Sequence, residues 1–406
     1  MNAILGCESF TADLSSATAV TISERPVRAV CDLLPFVRRR AVVEAEGRLA
    51  RVSNGNRVMR STFGFNVRSW LVGGYVACAV ALVGCGDGAR AADSSDAPVK
   101  VVGARSFPVT TAAGTGIARA FATGSLDGAP DAVRAIVIVH GLLRNAETYE
   151  ATGEAAVQAG GAAAAHTLVV APQFLTGEDV AAHGLSADTL RWNRGTWLDG
   201  SPAVAPAPLS AFDALDALVA RLADRTRFPA LREIVVAGHS AGGQLVQRYA
   251  VVRHASPDDA LRYVVANPSS YVYFSAERPN AATGACPHFD DWKYGLGDPP
   301  PYVRNPAGLE SLYVARRVTY LLGLLDTDPN HPVLDKSCAA EREGAYRLIR
   351  GRNYVDYLHA RHPEGTNQDE VEVPGVGHDG RGMFTSPCGL AVLFGTSLDR
   401  CAVTKV

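Results

Sequence analysis

The sequence predicts an α/β fold, a mostly parallel central sheet with helices on both faces. Three observations carry this. Short apolar, β-branched runs recur from residue 135 onward in a chain of 406 residues. Stretches with helical spacing separate them. The runs are apolar throughout instead of alternating with polar residues, as strands covered on both faces must be. With 47% hydrophobic residues, the chain can bury one large core or two modest ones.

Taken in order, Ala135–Val139 is the first central strand and ends in His140-Gly141. A helix follows from Ala146 to about Gly160, then a strand Thr167–Ala171 stopped by Pro172. A polar, proline-rich loop carries Trp192 and Trp197. Ser210 caps a helix through about Leu222, with Asp213 three positions on as a capping box requires. Ile234–Ala237 is a buried strand, and Leu245, Val246, Tyr249 and Ala250 fall at helical spacing after it. Tyr263–Ala266 is a further strand. Residues 271–315 fit no element, hold Trp292 and Tyr294, and read as a cap over the site, because a loop that long is usually functional. Val318–Leu325 is the next strand, helical stretches run to about Arg361, and Val371–Val373 is a last short strand.

Between the Ile234–Ala237 strand and the helix lies Gly238-His239-Ser240-Ala241-Gly242, a G-x-S-x-G pentapeptide in strand–turn–helix context. Such a turn strains the serine backbone, and side chains two residues either way would collide, so glycine is needed at 238 and 242. The helix start supplies free N–H groups and a positive dipole end beneath the hydroxyl. We read Ser240 as a nucleophile. A serine needs a neutral imidazole to take its proton, and the imidazole needs a carboxylate to fix its tautomer. Of ten histidines, His378 stands just past a strand end among turn-forming glycines and is the expected base. His239 adjoins the serine, but the turn is expected to point it elsewhere; His140 reads as an oxyanion-loop residue and the others as surface or structural. Asp326 directly follows the apolar run Tyr320–Leu325 and is the expected acid, with Asp328 its rival. The order Ser240, Asp326, His378 is the chain order of an α/β-hydrolase triad.

On these motifs the chain from residue 106 to 406 resembles the α/β-hydrolase superfamily, and within it secreted serine esterases related to polyhydroxybutyrate depolymerases. The resemblance implies that the backbone N–H groups of Leu142, after the His140-Gly141 pair, and of Ala241 form the oxyanion hole. It implies hydrolysis of a small or oligomeric ester through an acyl-enzyme, with no cofactor and no metal. Trp192, Trp197, Trp292 and Tyr294 are candidates for an apolar substrate pocket. A serine peptidase on the same fold, or a non-catalytic surface protein that kept it, are the competing readings. The G-x-G-x-x-G match at Gly375–Gly380 lacks the further βαβ unit that a dinucleotide fold needs.

The N-terminal part points to export. Arg60 and Arg68 precede an apolar run, Trp70–Val83, that is short for a membrane span but suited to a signal peptide. We therefore expect residues 1–58 to be a non-native upstream extension and 59–84 the signal peptide. Leu82-Val83-Gly84-Cys85 resembles the lipobox of bacterial lipoproteins, which implies lipidation at Cys85, while Ala89-Arg90-Ala91 offers an ordinary cleavage site instead. Residues 85–105 then read as a flexible tether. The chain is expected on the cell envelope or secreted, touching membrane only through a lipid anchor. Four cysteines remain in the body, Cys286, Cys338, Cys388 and Cys401, which allow three pairings. We expect Cys388–Cys401, closing a short loop, and Cys286–Cys338. A formal net charge of −2 and the lack of a basic tract exclude nucleic acid as an expected partner.

Overall fold

The computed structural model describes residues 95–258, 260–280, 285–399 and 401–406. The expected upstream extension, signal peptide, lipidation site Cys85 and residues 85–94 of the tether lie outside the described residues. Among the described residues, nine strands form one sheet. In chain order they are β1 (Arg105–Thr111), β2 (Gly114–Ala122), β3 (Arg134–Val139), β4 (Thr167–Gln173), β5 (Glu233–His239), β6 (Leu261–Ala266), β7 (Arg317–Gly323), β8 (Gln368–Val373) and β9 (Ala402–Lys405). Their order across the sheet is β1-β2-β4-β3-β5-β6-β7-β8-β9. The strands from β4 to β8 are parallel, and antiparallel β1, β2 and β9 complete the two edges.

Alternation along the central strands explains the two-sided burial. In β3, Ala135, Val137 and Val139 enter one core, while Ile136 and Ile138 enter the other. In β5, Ile234 and Val236 face the first, Val235 and Ala237 the second. Successive side chains point to opposite faces, so a strand covered on both faces must be apolar at every position. The first core is closed by α3 (Ala211–Ala223) and α4 (Ala241–Val252), the second by α1 (Ala146–Gly160) and α9 (Pro387–Phe394). The remaining helices are α2 (Gly177–Ala182), α5 (Leu309–Val314), α6 (Cys338–Glu341), α7 (Arg347–Arg361) and α8 (Gly380–Thr385). The Ser210–Asp213 capping box is present at the start of α3.

Four expectations change. Pro172 does not stop β4: pairing with β3 has ended at Val170, and Pro172 lies opposite Ala120 of β2, where no second ladder demands its N–H. The β1–β2 hairpin and the edge strand β9 were not expected. In the hairpin, the half-buried alternation rests largely on Gly116, Ala118 and Ala120, which carry little hydrophobic signal.

The described part of the tether, residues 95–104, is not free. Val99 is buried, its N–H donates to Asp179 Oδ1 at 2.8 Å, and Gly103 N–H donates to Gln173 Oε1 at 3.0 Å. Nor do the described residues of the expected cap, within 271–315, all stand apart from the body. Tyr271, Val272, Tyr273, Tyr302, Leu309 and Tyr313 all belong to the first core. Backbone N–H groups of Tyr271 and Val272 are satisfied by buried Glu343 and Gln247. The segment has no period because its tyrosines dock one at a time, Tyr271 and Tyr273 on Tyr354 of α7, Tyr302 on Phe212 and Asp216 of α3, and Tyr313 beside Gln247 of α4.

Both expected disulfides, Cys286–Cys338 and Cys388–Cys401, are present. Among the described residues no helix is long and apolar enough to cross a membrane, and no group of three or more His, Cys, Asp or Glu could hold a metal ion.

Candidate active site

The site sits at the C-terminal ends of β3, β5, β6, β7 and β8. At the end of β5 the backbone turns sharply into α4, and Ser240 takes φ 59° and ψ −120°, a region that only surrounding structure can impose on a non-glycine residue. The crowding that requires glycine is explicit. A Cβ at Gly238 would lie 2.3 Å from Gly242 O, and one at Gly242 would lie 2.3 Å from Val139 O. Ser240 N–H donates to Ala266 O at 3.0 Å, which ties the turn to the end of β6. The serine is 8% exposed.

His378 lies beyond β8, in the loop before α8. Its Nε2 is 2.9 Å from Ser240 Oγ, and its Nδ1 is 2.7 Å from Asp326 Oδ2. Because a carboxylate can only accept, Nδ1 carries a proton, which leaves Nε2 of the neutral ring free to accept from the serine. Burial is the main cause that holds the His378 pKa below its ordinary value; the Asp326 hydrogen bond acts upward and the nearby Arg347 charge downward. Asp326 is buried, whereas Asp328 is exposed and accepts the Asn330 N–H. Of the two carboxylates, Asp326 is the one bonded to His378.

This chain of contacts, on a serine at the strand–helix turn of a mostly parallel sheet, decides the fold. It is that of an α/β-hydrolase.

The hydrolase fold also places the loop after β3. His140 is buried, its Nδ1 donates to Gly141 O at 2.8 Å, and its Nε2 accepts from Phe174 N–H at 3.0 Å. Burial lowers its pKa to about 4, so the ring is neutral and serves as a fixed two-ended link. A Cβ at Gly141 would lie 3.9 Å from Ser240 Cβ, so the loop runs directly beside the serine. Leu142 follows, and neither its N–H nor that of Ala241 meets an acceptor among the described residues. Arg144 anchors the loop from beneath. It pairs with Asp179 through two hydrogen bonds, at 2.8 and 3.1 Å, and donates to the carbonyls of Ser95 and Ala97.

Of the four aromatic candidates, Trp192 and Trp197 are buried and Trp292 and Tyr294 half-buried. Trp197 stacks on Phe174 at 5.2 Å and meets His140 edge-on at 4.7 Å, and Trp192 packs edge-on against Phe174 at 5.5 Å. Both belong to the first core, where with Phe174 they back the His140 ring. Trp292 Nε1 donates to Asp199 O, and Tyr294 OH donates to Asp335, so both polar ends have structural partners. A cleft of about 470 Å³ opens between the first turns of α1 and the start of α8, lined by Asn145, Thr148, Tyr149, Thr152, Asp379 and Arg381.

Several residues at the site were not singled out from the sequence. Asn267, at the end of β6, accepts from Gly323 N–H at 2.9 Å and donates to Gly377 O at 3.1 Å, which binds the strand ends that carry Asp326 and His378 to each other. The His239 ring does not point away: its centroid lies 4.6 Å from that of His378, and Tyr149 OH bonds its Nδ1 at 3.1 Å. Burial holds the His239 pKa well below its ordinary value, so this neighbour is uncharged. His331 meets His378 edge-on at 5.0 Å, and Arg347 lies behind Asp326. A strand-end asparagine and a histidine beside the serine were visible signals; the approach of residues 331 and 347 had none.

No protein-family model matches the sequence, and no curated protein matches it by sequence. Solved structures do match. Poly(aspartic acid) hydrolase-1 from Sphingomonas sp. KT-1 is 24% identical, with 71% of this chain and 96% of that chain covered and a TM-score of 0.48. The poly(3-hydroxybutyrate) depolymerase LpqC from Bordetella parapertussis is 23% identical, with 73% and 91% covered and a TM-score of 0.48. The siderophore hydrolase EstA from Aspergillus nidulans is 13% identical, with 72% and 93% covered and a TM-score of 0.38. These likenesses concern the course of the chain and carry nothing about its substrate.

Proposed function

We propose that this protein is an exported serine hydrolase that cleaves carboxylic esters through an acyl-enzyme intermediate. The observation that supports the reading most directly is the unbroken hydrogen-bond chain Ser240–His378–Asp326 on a strained serine. Neutral His378 takes the Ser240 proton at Nε2 as Oγ bonds to the ester carbonyl carbon. The carbonyl electron pair moves to oxygen, where the N–H groups of Leu142 and Ala241 receive it; such preorganised donors are commonly worth about 3 kcal/mol each to the transition state. Collapse of the tetrahedral species breaks the bond to the alcohol, which leaves with the proton from Nε2. A water molecule then repeats the sequence and frees Ser240. Asp326 stabilises the imidazolium formed twice on this path.

Leu325 is 62% exposed immediately before Asp326. A large apolar side chain at that place suits an ester with an apolar acyl or alcohol part, whether a small molecule or an oligomer. The two disulfides agree with an oxidising compartment. Delivery would follow either lipidation at Cys85 or cleavage after Ala91.

Ser240→Ala is expected to abolish both labelling by a fluorophosphonate probe and hydrolysis of p-nitrophenyl butyrate, with the circular dichroism spectrum unchanged. Undiminished turnover in that variant would end the assignment. Faster cleavage of aminoacyl amides than of p-nitrophenyl esters by the wild type would move it to a peptidase.

A further inference from the structure

We propose that Arg347 is the positioning residue of the triad acid: its guanidinium holds the outer oxygen of Asp326, offsets that oxygen's charge, and so sets how readily His378 gives up its proton. The proposal rests on the reading of Ser240, His378 and Asp326 as one catalytic unit.

The Asp326 side chain is 2% exposed and has two partners among the described residues. Oδ2 faces His378, and Oδ1 faces Arg347 Nη1 at 3.4 Å. The Arg347 side chain is wholly buried. Its Nε donates to Ser269 Oγ at 3.0 Å, and Nη2 reaches His331 Nδ1 at 3.5 Å. Arg347 is the first residue of α7, and the next N–H, that of Leu348, donates to Asp326 O at 3.2 Å. Helix start and side chain therefore grip the same aspartate at its backbone and its carboxylate.

The charges follow from this arrangement. With His378 neutral, Asp326 and Arg347 cancel. When His378 binds a proton, the buried cluster gains a net positive charge, which a low-dielectric site disfavours. The other groups around His378 do not replace this effect. His239, from β5, is neutral and bonded to Tyr149. Burial lowers the His331 pKa also, with Arg347 the next cause. Asp379 is exposed and caps α8 through the Arg381 N–H. Asp328 is exposed and occupied in its own turn, and Arg350 is spent on the carbonyls of Gly344, Ser269 and Asp335 and on Glu341. Without Arg347, the Asp326 charge would act on His378 unopposed and favour the imidazolium.

The test compares Arg347→Met, which keeps bulk and loses the charge, with Arg347→Lys, which keeps the charge, in the full chain. The pH profile of kcat/KM for p-nitrophenyl butyrate is measured together with the His378 ring titration, followed by NMR on ¹⁵N-histidine-labelled protein. In the Met variant both the acid limb and the ring titration are expected to move to higher pH. The loss of kcat/KM should be about tenfold greater at pH 5.5 than at pH 8.5, carried by kcat with KM little changed. The Lys variant should return both readouts toward wild type. A folded Met variant whose His378 titrates as in wild type overturns the proposal. If that variant does not fold, Ser269→Ala, which releases only the Nε anchor, should move the titration in the same direction by less; no movement there overturns it equally. Absence of any turnover or probe labelling in the wild type would refute the esterase reading instead, and the NMR titration would still decide the role of Arg347.

Discussion

At the scale of single residues, two carboxylates two positions apart have opposite fates. Asp326 N–H donates to Gly323 O in a tight turn that directs the side chain inward to His378, while Asp328 faces solvent. Exchanging each carboxylate for an amide separates their roles. Asp326→Asn is expected to lower kcat by about 10³–10⁴-fold, because an amide presented to Nδ1 favours the wrong tautomer. Asp328→Asn should leave kcat within about twofold. Steady-state kinetics on both variants, side by side, check this; equal losses would place the acid elsewhere. The place of Asp326 at a strand end was readable from the apolar run before it. The presence of Arg347 on its far side was not, since 21 residues of chain separate the two.

At the scale of elements, the stretch before β1 has more influence on the site than its composition suggests. The run Ser95–Gly103 carries no sustained apolar period, yet it supplies carbonyls to Arg144 and N–H groups to Asp179 and Gln173. The arm thus helps hold the loop that carries Leu142. Removing one half of a buried ion pair typically costs about 3–5 kcal/mol. Arg144→Met is accordingly expected to lower the melting temperature and, by loosening the loop beside Ser240, to reduce kcat by about tenfold or more. Differential scanning calorimetry and kinetics on the same preparation measure both. A variant with wild-type kcat would show that the His140–Phe174 link alone suffices.

At the scale of the whole molecule, the first core contains a carboxyl that no part of the proposed chemistry uses. Glu343 is fully buried; one oxygen accepts from Tyr271 N–H and the other has no partner. Burial raises its pKa to about 8. Since the folded value lies above the unfolded one, the stability tied to this group is complete below the ordinary glutamate range near 4.5. It is lost as pH rises to about 8. Thermal melts from pH 6 to 9 should therefore show a falling melting temperature for the wild type and a flatter profile for Glu343→Gln. Parallel profiles would mean that the neighbouring guanidinium groups already neutralise the carboxylate.

What the sequence determined by itself is whatever depends on neighbours along the chain. Runs apolar on both faces can only be central strands, and a G-x-S-x-G between strand and helix can only be a tight, glycine-lined turn, so β3, β5, β6, β7 and the position of Ser240 were legible. So was His378, because glycines beside a strand end present a side chain at the sheet edge. Tertiary structure alone decided which distant residues close around them. The aromatic pair Trp192 and Trp197 went into the core instead of a pocket because irregular loops conceal burial. Asn267 and His239 converged on the triad because parallel strands bring their ends to one edge whatever their separation in sequence. His331 reached it from the connection between β7 and α7, and Arg347 from the start of α7. A local pattern fixes which way a segment folds, but the field at His378 is a sum over charges that only packing brings together.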